Sequence, residues 1–430
     1  MSTLPKSFKL DDPVPALPEG SNSVLVSCRP VTSGALTASA VVDVDLGTRG
    51  WLEPGSLSIR YTMTITQGAG SSAMIGTPVY TPIQRLQITA NGTTIDSISQ
   101  YNQVAHVLTQ GKLDVAQKFG RQYAYGYTPA AAATVSNMDG RVSTATDTVF
   151  SVSAPLPCIL SQSEKMLPLF AMGGVRLTFS LDTVANMFMA ANTYEAVYVA
   201  PAAISISNFE VCYNQIDLGR EVEMMVKGMG SRLFIKSHSY NNSATAIAVG
   251  LIGSNSYVFN QRYSSIRSAY MLPNLSIANK WAEICDITAT STTVCGDYQL
   301  ICGNSAYPQM PLSSINNKGG ILNESYRAFK AIDEFGSMSI DTNEFTRLPV
   351  VTLNTYSNSA PGKFILGLNL EKVQTADHVL MSGVSTYNTP LSVVLNCPAL
   401  STVAASLNLL LDYDAILVID QEAHQVSVRS

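Results

Sequence analysis

One ten-residue segment of this 430-residue chain occurs twice, half a chain apart. Phe209-Glu210-Val211-Cys212-Tyr213-Asn214-Gln215-Ile216-Asp217-Leu218 is answered by Leu409-Leu410-Leu411-Asp412-Tyr413-Asp414-Ala415-Ile416-Leu417-Val418, and Asn208 precedes one copy as Asn408 precedes the other. Upstream of each lies a second matching stretch: Val175, Leu177, Phe179 and Leu181 after Gly173, and Phe364, Leu366, Leu368 and Leu370 after Gly362. Both stretches alternate apolar and polar residues. In an extended chain successive side chains point to opposite sides, so alternation marks a strand with one face on a core. Chance likeness between amphipathic strands is the competing account. Two strands recurring in the same order favour duplication, and predict two similar β domains in tandem, each closed by the same terminal strand.

Composition fits that prediction. Two β sandwiches of about 200 residues each account for the length. The chain is 46% hydrophobic and only 13% charged, enough for a large core and a weakly charged surface of the kind other subunits cover. A surface rich in Ser, Thr, Asn and Gln is the plainer account of the same figures. The net charge of -5 argues against direct nucleic-acid binding as the main task, since phosphate affinity comes from clustered Lys and Arg. The densest positive stretch, residues 112–121, is interrupted by Asp114. No segment approaches the roughly 20 apolar residues that span a bilayer, and Met1-Ser2-Thr3-Leu4-Pro5-Lys6 has no apolar signal core, so folding in the cytosol is expected. Seven scattered cysteines, Cys28, Cys158, Cys212, Cys285, Cys295, Cys302 and Cys397, without any Cys-x-x-Cys, are expected to be free thiols. Sequons begin at Asn91, Asn241, Asn274 and Asn323, but Asn91-Gly92 reads better as a tight hairpin turn.

Along the chain, residues 1–20 carry Pro5, Pro13, Pro15 and Pro18 and read as an extended arm. A first domain over 21–218 begins with strands at 23–28 and at Leu57, Ile59, Tyr61, Met63 and Ile65, then a hairpin over 86–95. The period next changes to helical through Ile98, Tyr101, Val104, Ala105 and Leu108, with Ser97 and Ser99 as cap candidates. Residues 117–146 read as a long loop before a strand at 149–152. A linker over 219–230 leads to a second domain over 231–420, with strands at 232–239, 246–252 and 257–263, and a tail over 421–430. Helical spacing recurs at Ile277, Trp281, Ile284 and Cys285, and at Leu322, Tyr326, Phe329 and Ile332. Residues 297–312 read as a strand running into a Pro-bounded turn. Many strands, few short helices and one long insertion per half predict an all-β fold of two sandwiches with short helical insertions, such as jelly rolls.

Catalytic chemistry finds little support. A pair of metal-binding sandwiches would need a His-x-His and further ligands in each half, whereas His106, His238, His378 and His424 are isolated. Neither a Gly-x-Ser-x-Gly elbow nor a phosphate-binding Gly-x-x-x-x-Gly-Lys-Ser/Thr loop is present, and Gly68-Ala69-Gly70-Ser71-Ser72 reads as a hairpin turn. Asp412 and Asp414 would share one face of a strand, as a calcium site or a glycosidase pair requires, but no second acidic cluster joins them. No catalytic, cofactor or metal site is expected.

The ordered motifs resemble those of the double jelly-roll major capsid proteins of polinton-like viruses, virophages and related DNA viruses. They are Leu86-Gln87-Ile88-Thr89-Ala90-Asn91-Gly92-Thr93-Thr94-Ile95-Asp96 running into Tyr101-Asn102; Lys165-Met166-Leu167-Pro168-Leu169 before the strand at 175–181; the segment from Tyr298 to Leu312; and Phe364-Ile365-Leu366-Gly367-Leu368-Asn369-Leu370-Glu371 followed by Ser382-Gly383-Val384. Their order and coverage, from about residue 57 to 419, carry the resemblance. It implies two tandem eight-stranded jelly rolls and a homotrimer forming a pseudo-hexagonal capsomer, because two similar domains times three subunits approximates sixfold symmetry. It further implies an icosahedral virion shell made with neighbouring capsomers, penton and minor capsid proteins. Loops within 117–146 and 268–320 would face outward, and the arm and tail inward or toward neighbours. The alternative is a secreted carbohydrate-binding or adhesion protein of two β sandwiches, with Tyr123, Tyr125 and Tyr127 as a sugar-stacking platform.

Overall fold

Alternation becomes strand where the pattern is strictest. In the computed structural model Ser58–Thr66 buries Ile59, Tyr61, Met63 and Ile65 and turns Arg60 and Thr66 outward. Val175–Leu181 buries Val175, Leu177, Phe179 and Leu181 in the same way. The structure describes residues 21–31, 34–66, 72–74, 76–113, 117, 120–121, 124–126, 141–142, 148–188, 201–228, 230–248, 252–275, 297–313, 318–329, 365–373, 381–397 and 405–430.

The first sandwich comprises β1 (Asn22–Cys28), β2 (Val41–Asp45), β3 (Ser58–Thr66), β4 (Ile83–Ala90), β5 (Thr93–Ser99), β6 (Thr148–Pro155), β7 (Val175–Leu181) and β8 (Ala203–Asp217). One antiparallel sheet runs β1-β8-β3-β6 and the other β2-β7-β4-β5. The second comprises β9 (Arg232–Ile247), β10 (Gly253–Phe259), β11 (Ile266–Leu275), β12 (Asp297–Cys302), β13 (Ser305–Ser313), β14 (Leu366–Asn369), β15 (Leu391–Cys397) and β16 (Ala405–Asp420). Its sheets run β9-β16-β11-β14 and β10-β15-β12-β13, which is the first order with eight added to every number. Short strands at Leu36–Thr37, Trp51–Leu52 and Leu167–Pro168 extend the sheet that holds β8. Two antiparallel sheets whose four main strands run in this order are a jelly roll, so the chain holds two.

The repeat is therefore real, with one correction. Tyr213 and Tyr413 lie on the equivalent strands β8 and β16. Cys212 partners Ser58 at the start of β3, and Tyr413 partners Ile266 at the start of β11, so the two tyrosines match to within one residue. The upstream match fails. Leu366–Asn369 is β14, at the edge of the sheet that holds β16, and corresponds to β6; the counterpart of Val175–Leu181 is Leu391–Cys397. Amphipathic alternation specifies a half-buried strand, not its place in a sheet.

Helices α1 (Tyr101–Lys112) and α4 (Lys318–Ala328) follow β5 and β13, so they too are equivalent; between them come α2 (Val184–Met187) and α3 (Arg220–Gly228), the latter within the linker. Ile98 belongs to β5, and the cap of α1 is Gln100, held at φ 49° without a side-chain capping bond, instead of Ser97 or Ser99. The strand expected at 232–239 continues to Ile247 as β9, taking in the start of the strand expected at 246–252; residues 249–251 lie outside the described residues. The segment 297–312 is a hairpin that turns at Gly303 (φ 59°), with Pro308 and Pro311 inside its outer strand β13. The tail beyond 420 turns back as β17 (Gln425–Arg429) and pairs with Ile416–Asp420. The helical spacing at 277–285 and most of the loop 117–146 lie outside the described residues.

Candidate functional site

An edge strand of an isolated sandwich has one partner and a solvated flank. β9 is an edge strand, yet the first sandwich covers both of its faces. On one face Ser237 Oγ donates to the Ile159 carbonyl at 2.5 Å, and Ser239 Oγ donates to Asp96 Oδ2 at 2.7 Å. On the other, Lys112 Nζ donates to Tyr240 OH at 3.2 Å, and Asn242 Nδ2 donates to Gln100 Oε1 at 2.9 Å and Gln103 Oε1 at 3.1 Å. β5, the loop after β6 and α1 thus form a cleft that grips β9. Contact is close enough that a Cβ on Gly111 of α1 would lie 2.1 Å from the Phe329 ring.

Asp96 is the buried carboxyl of this seam. Besides Ser239 it accepts from the Ile159 amide at 3.1 Å and the Ser97 amide at 2.9 Å. Burial raises its pKa to about 6, against the lowering effect of those three donors. At the end of the molecule where β8 gives way to α3, a second contact joins the halves. Asn91 Nδ2, in the β4–β5 turn, donates to the His424 carbonyl at 3.2 Å, and Gly173 (φ 70°) approaches the same carbonyl so closely that a Cβ would meet it at 2.5 Å. Lys236 of β9 pairs with Glu164 at 3.5 Å, and the Glu164 amide donates to the Lys236 carbonyl at 3.1 Å.

Asp412 and Asp414 do share a face of β16, as predicted, but their charge is already answered. Arg267 reaches Glu371 at 3.0 Å, Asp414 at 3.8 Å and Asp412 at 3.9 Å, all four groups being largely buried. Burial works to lower the Arg267 pKa, and Asp412 and Glu371 outweigh it, so the guanidinium stays charged. Asp414 also accepts from Ser265 Oγ at 2.6 Å. Among the described residues no group of three His, Cys, Asp or Glu side chains is placed to hold a metal ion. His106 is half-buried with Nδ1 3.0 Å from Thr77 Oγ1. Tyr125, one third of the supposed sugar platform, is buried beside Tyr80; Tyr123 and Tyr127 lie outside the described residues. Cys28, Cys158, Cys212 and Cys302 are free thiols.

Sequence reasoning missed Asp96, Ser237, Ser239 and Asn242. One signal was there to read: Asp96 stands between Ile95 and Ile98, an acid within a strand that buries its neighbours.

No family model matches the sequence, and no curated protein matches it. Solved structures do. A chain of the PBCV-1 virus capsid superposes with a TM-score of 0.63 at 11% identity, over 97% of this chain and 98% of that one. The Faustovirus major capsid protein gives 0.63 at 9% identity, over 97% and 93%. A chain of the Sputnik virophage gives 0.61 at 14% identity, over 100% and 92%. Matched over nearly its whole length and repeating one eight-strand order, the chain has the double jelly-roll fold of viral major capsid proteins.

Proposed function

We propose that the chain is a structural major capsid protein that forms homotrimers, and that these tile a virion shell as pseudo-hexagonal capsomers. The observation that carries the reading is the seam. Two copies of one sandwich, the first at 21–218 and the second at 231–420, meet side by side through unlike surfaces: the β5 and α1 flank of one grips the β9 edge of the other. A heterologous contact of this kind repeats around a ring until the rotation closes it. Six sandwiches, two from each of three chains, make a pseudo-sixfold ring. Full-length likeness to capsid chains supports the same role. The shell's other partners would be penton and minor capsid proteins, with the arm 1–20 clamping neighbours and no catalysis involved. The buried Tyr125 counts against the carbohydrate-binding reading, and the internally paired Asp412 and Asp414 count against the glycosidase one.

The test is light scattering joined to electron microscopy of the purified full-length chain. A mass three times that of the 46.0 kDa chain and flat hexagonal particles or shells are the expected result. A stable monomer at micromolar concentration overturns the reading.

A further inference from the structure

The seam inside one chain specifies the chemistry of the seam between chains. β1 is the counterpart of β9, and β13 with α4 is the counterpart of β5 with α1. Among the described residues β1 pairs only with β8, and β13 only with β12, so both outer edges are open where their counterparts are joined.

β1 is exposed in an unusual way. Val24 is 52% and Leu25 53% exposed, and as consecutive residues of a strand they point to opposite faces. A solvated edge strand needs no apolar side chain on either face; β9, gripped on both, shows the surroundings such a strand receives when joined. Register sharpens the comparison. Val26 partners Tyr213 and Val24 partners Gln215, as Ser239 partners Tyr413 and Ser237 partners Ala415. In this register β1 presents Val24 and Val26 where β9 presents Ser237 and Ser239; counted from β3 and β11, with Cys212 on Ser58 against Tyr413 on Ile266, it presents Leu25 and Ser27. Either way an exposed apolar residue, Val24 or Leu25, stands where β9 has Ser237. The opposing flank changes in the same sense. Asp96, three strand positions from its hairpin turn, partners Ile88; Tyr307, at the same step of the other hairpin, partners Leu300. Further along β13 stand Met310, 80% exposed, and Leu312.

We infer that β1 of one copy docks in the cleft formed by β13 and α4 of a second copy, through an apolar contact that replaces the polar seam within the chain. The occupant is a second copy because the intrachain seam, continued by the repeat, places these two edges against each other. Val24, Leu25 and Val26 meet Tyr307, Met310 and Leu312, apolar against apolar. The difference also sets partner choice: buried Asp96 finds its one side-chain donor, Ser239, on β9 and would lose it against an apolar strand.

This inference rests on the trimeric reading above, and the experiment separates the two. Val24→Asp, Leu25→Asp and Met310→Asp each place a charge on a side chain that is at least half exposed in the single chain, so far-ultraviolet circular dichroism and the thermal midpoint should stay those of the parent. Each should weaken trimer association by at least about tenfold in light-scattering dilution series. As a second readout, a short bis-maleimide should link Val24→Cys/Met310→Cys chains into dimers and trimers on denaturing gels, beyond the background of either single variant. If the parent is a trimer while all three Asp variants remain trimers and no such ladder forms, this surface assignment is overturned and the capsid reading stands. If the parent is itself a monomer, both fall.

Discussion

Asp96 of the first jelly roll accepts the Ser239 hydroxyl of the second at 2.7 Å, a buried acid bridging the two halves of one chain. Its pKa is raised from 3.8 to about 6, chiefly by burial. A carboxyl whose folded pKa exceeds its unfolded value binds protons more tightly in the folded state. Its contribution is then most favourable below about pH 4 and is lost as pH rises through about 6. Between those limits the difference is at most about 3 kcal/mol. Thermal midpoints of the parent and of Asp96→Asn, compared from pH 7 to pH 4.5, should show the parent gaining stability relative to the variant. A constant difference between the two curves would show that Asp96 does not titrate in this window.

Arg267 faces three carboxylates, Glu371, Asp412 and Asp414, in a largely dehydrated site. Removing Arg267 leaves Lys236, 3.9 Å from Asp414, as a remaining cation against the three acids, and breaking a buried ion pair by deleting one partner costs about 3–5 kcal/mol. Arg267→Ala should therefore unfold at much lower denaturant at pH 7. Burial already raises the Asp414 pKa, so mild acid should recover part of the loss by neutralising Asp414. Denaturant midpoints at pH 7 and pH 5 check both parts. A loss that is the same at both pH values would mean packing, not charge, is what Arg267 supplies.

How much of this was legible before the structure depends on which interactions are local. Tyr213 and Tyr413 could be matched from sequence because β8 and β16 each run through the middle of a sheet, where burial imposes a strong pattern. The β4–β5 hairpin was legible because Asn91 and Gly92 both adopt positive φ, 46° and 76°. Leu366–Asn369 was matched to the wrong strand because alternation says which side a residue faces and nothing about its neighbours. Of the seam only Asp96, an acid among buried neighbours, left a trace in the sequence, and nothing there pointed to its partner. Ser237 and Ser239 look like the solvent face of an edge strand, and only the partner at Asp96, 143 residues before Ser239, turns them into buried groups. The free edges β1 and β13 became meaningful only once β9 showed what covers their counterparts.

The thiols give a prediction of accessibility. Cys158, Cys212 and Cys302 are buried, and burial raises the Cys158 pKa to about 12. Because the thiolate is the reactive form, Cys158 should resist maleimide in the native protein, and half-buried Cys28 should react before Cys158, Cys212 and Cys302. Mass spectrometry after brief labelling reads the order. Denaturation without reductant should expose all seven cysteines of the sequence as free thiols; fewer would reveal a disulfide.

Gly111 supplies the last prediction, because its position reverses the usual effect of its substitution. In a helix interior Ala is favoured over Gly by about 1 kcal/mol, so Gly111→Ala in α1 would be stabilising if the helix stood alone. Here a Cβ would lie 2.1–2.3 Å from three ring atoms of Phe329. Phe329 is buried and stacked on Tyr270 at 4.5 Å, which limits how far it can retreat. Overpacking of this kind costs about 1–3 kcal/mol, enough to cancel or exceed the helical gain. The double-mutant cycle with Phe329→Ala isolates the clash: Gly111→Ala should be neutral or destabilising in the parent and stabilising once the ring is gone. Urea denaturation of the four proteins measures the coupling. A coupling of zero would place Phe329 away from α1 and remove one of the contacts by which the first jelly roll holds the second.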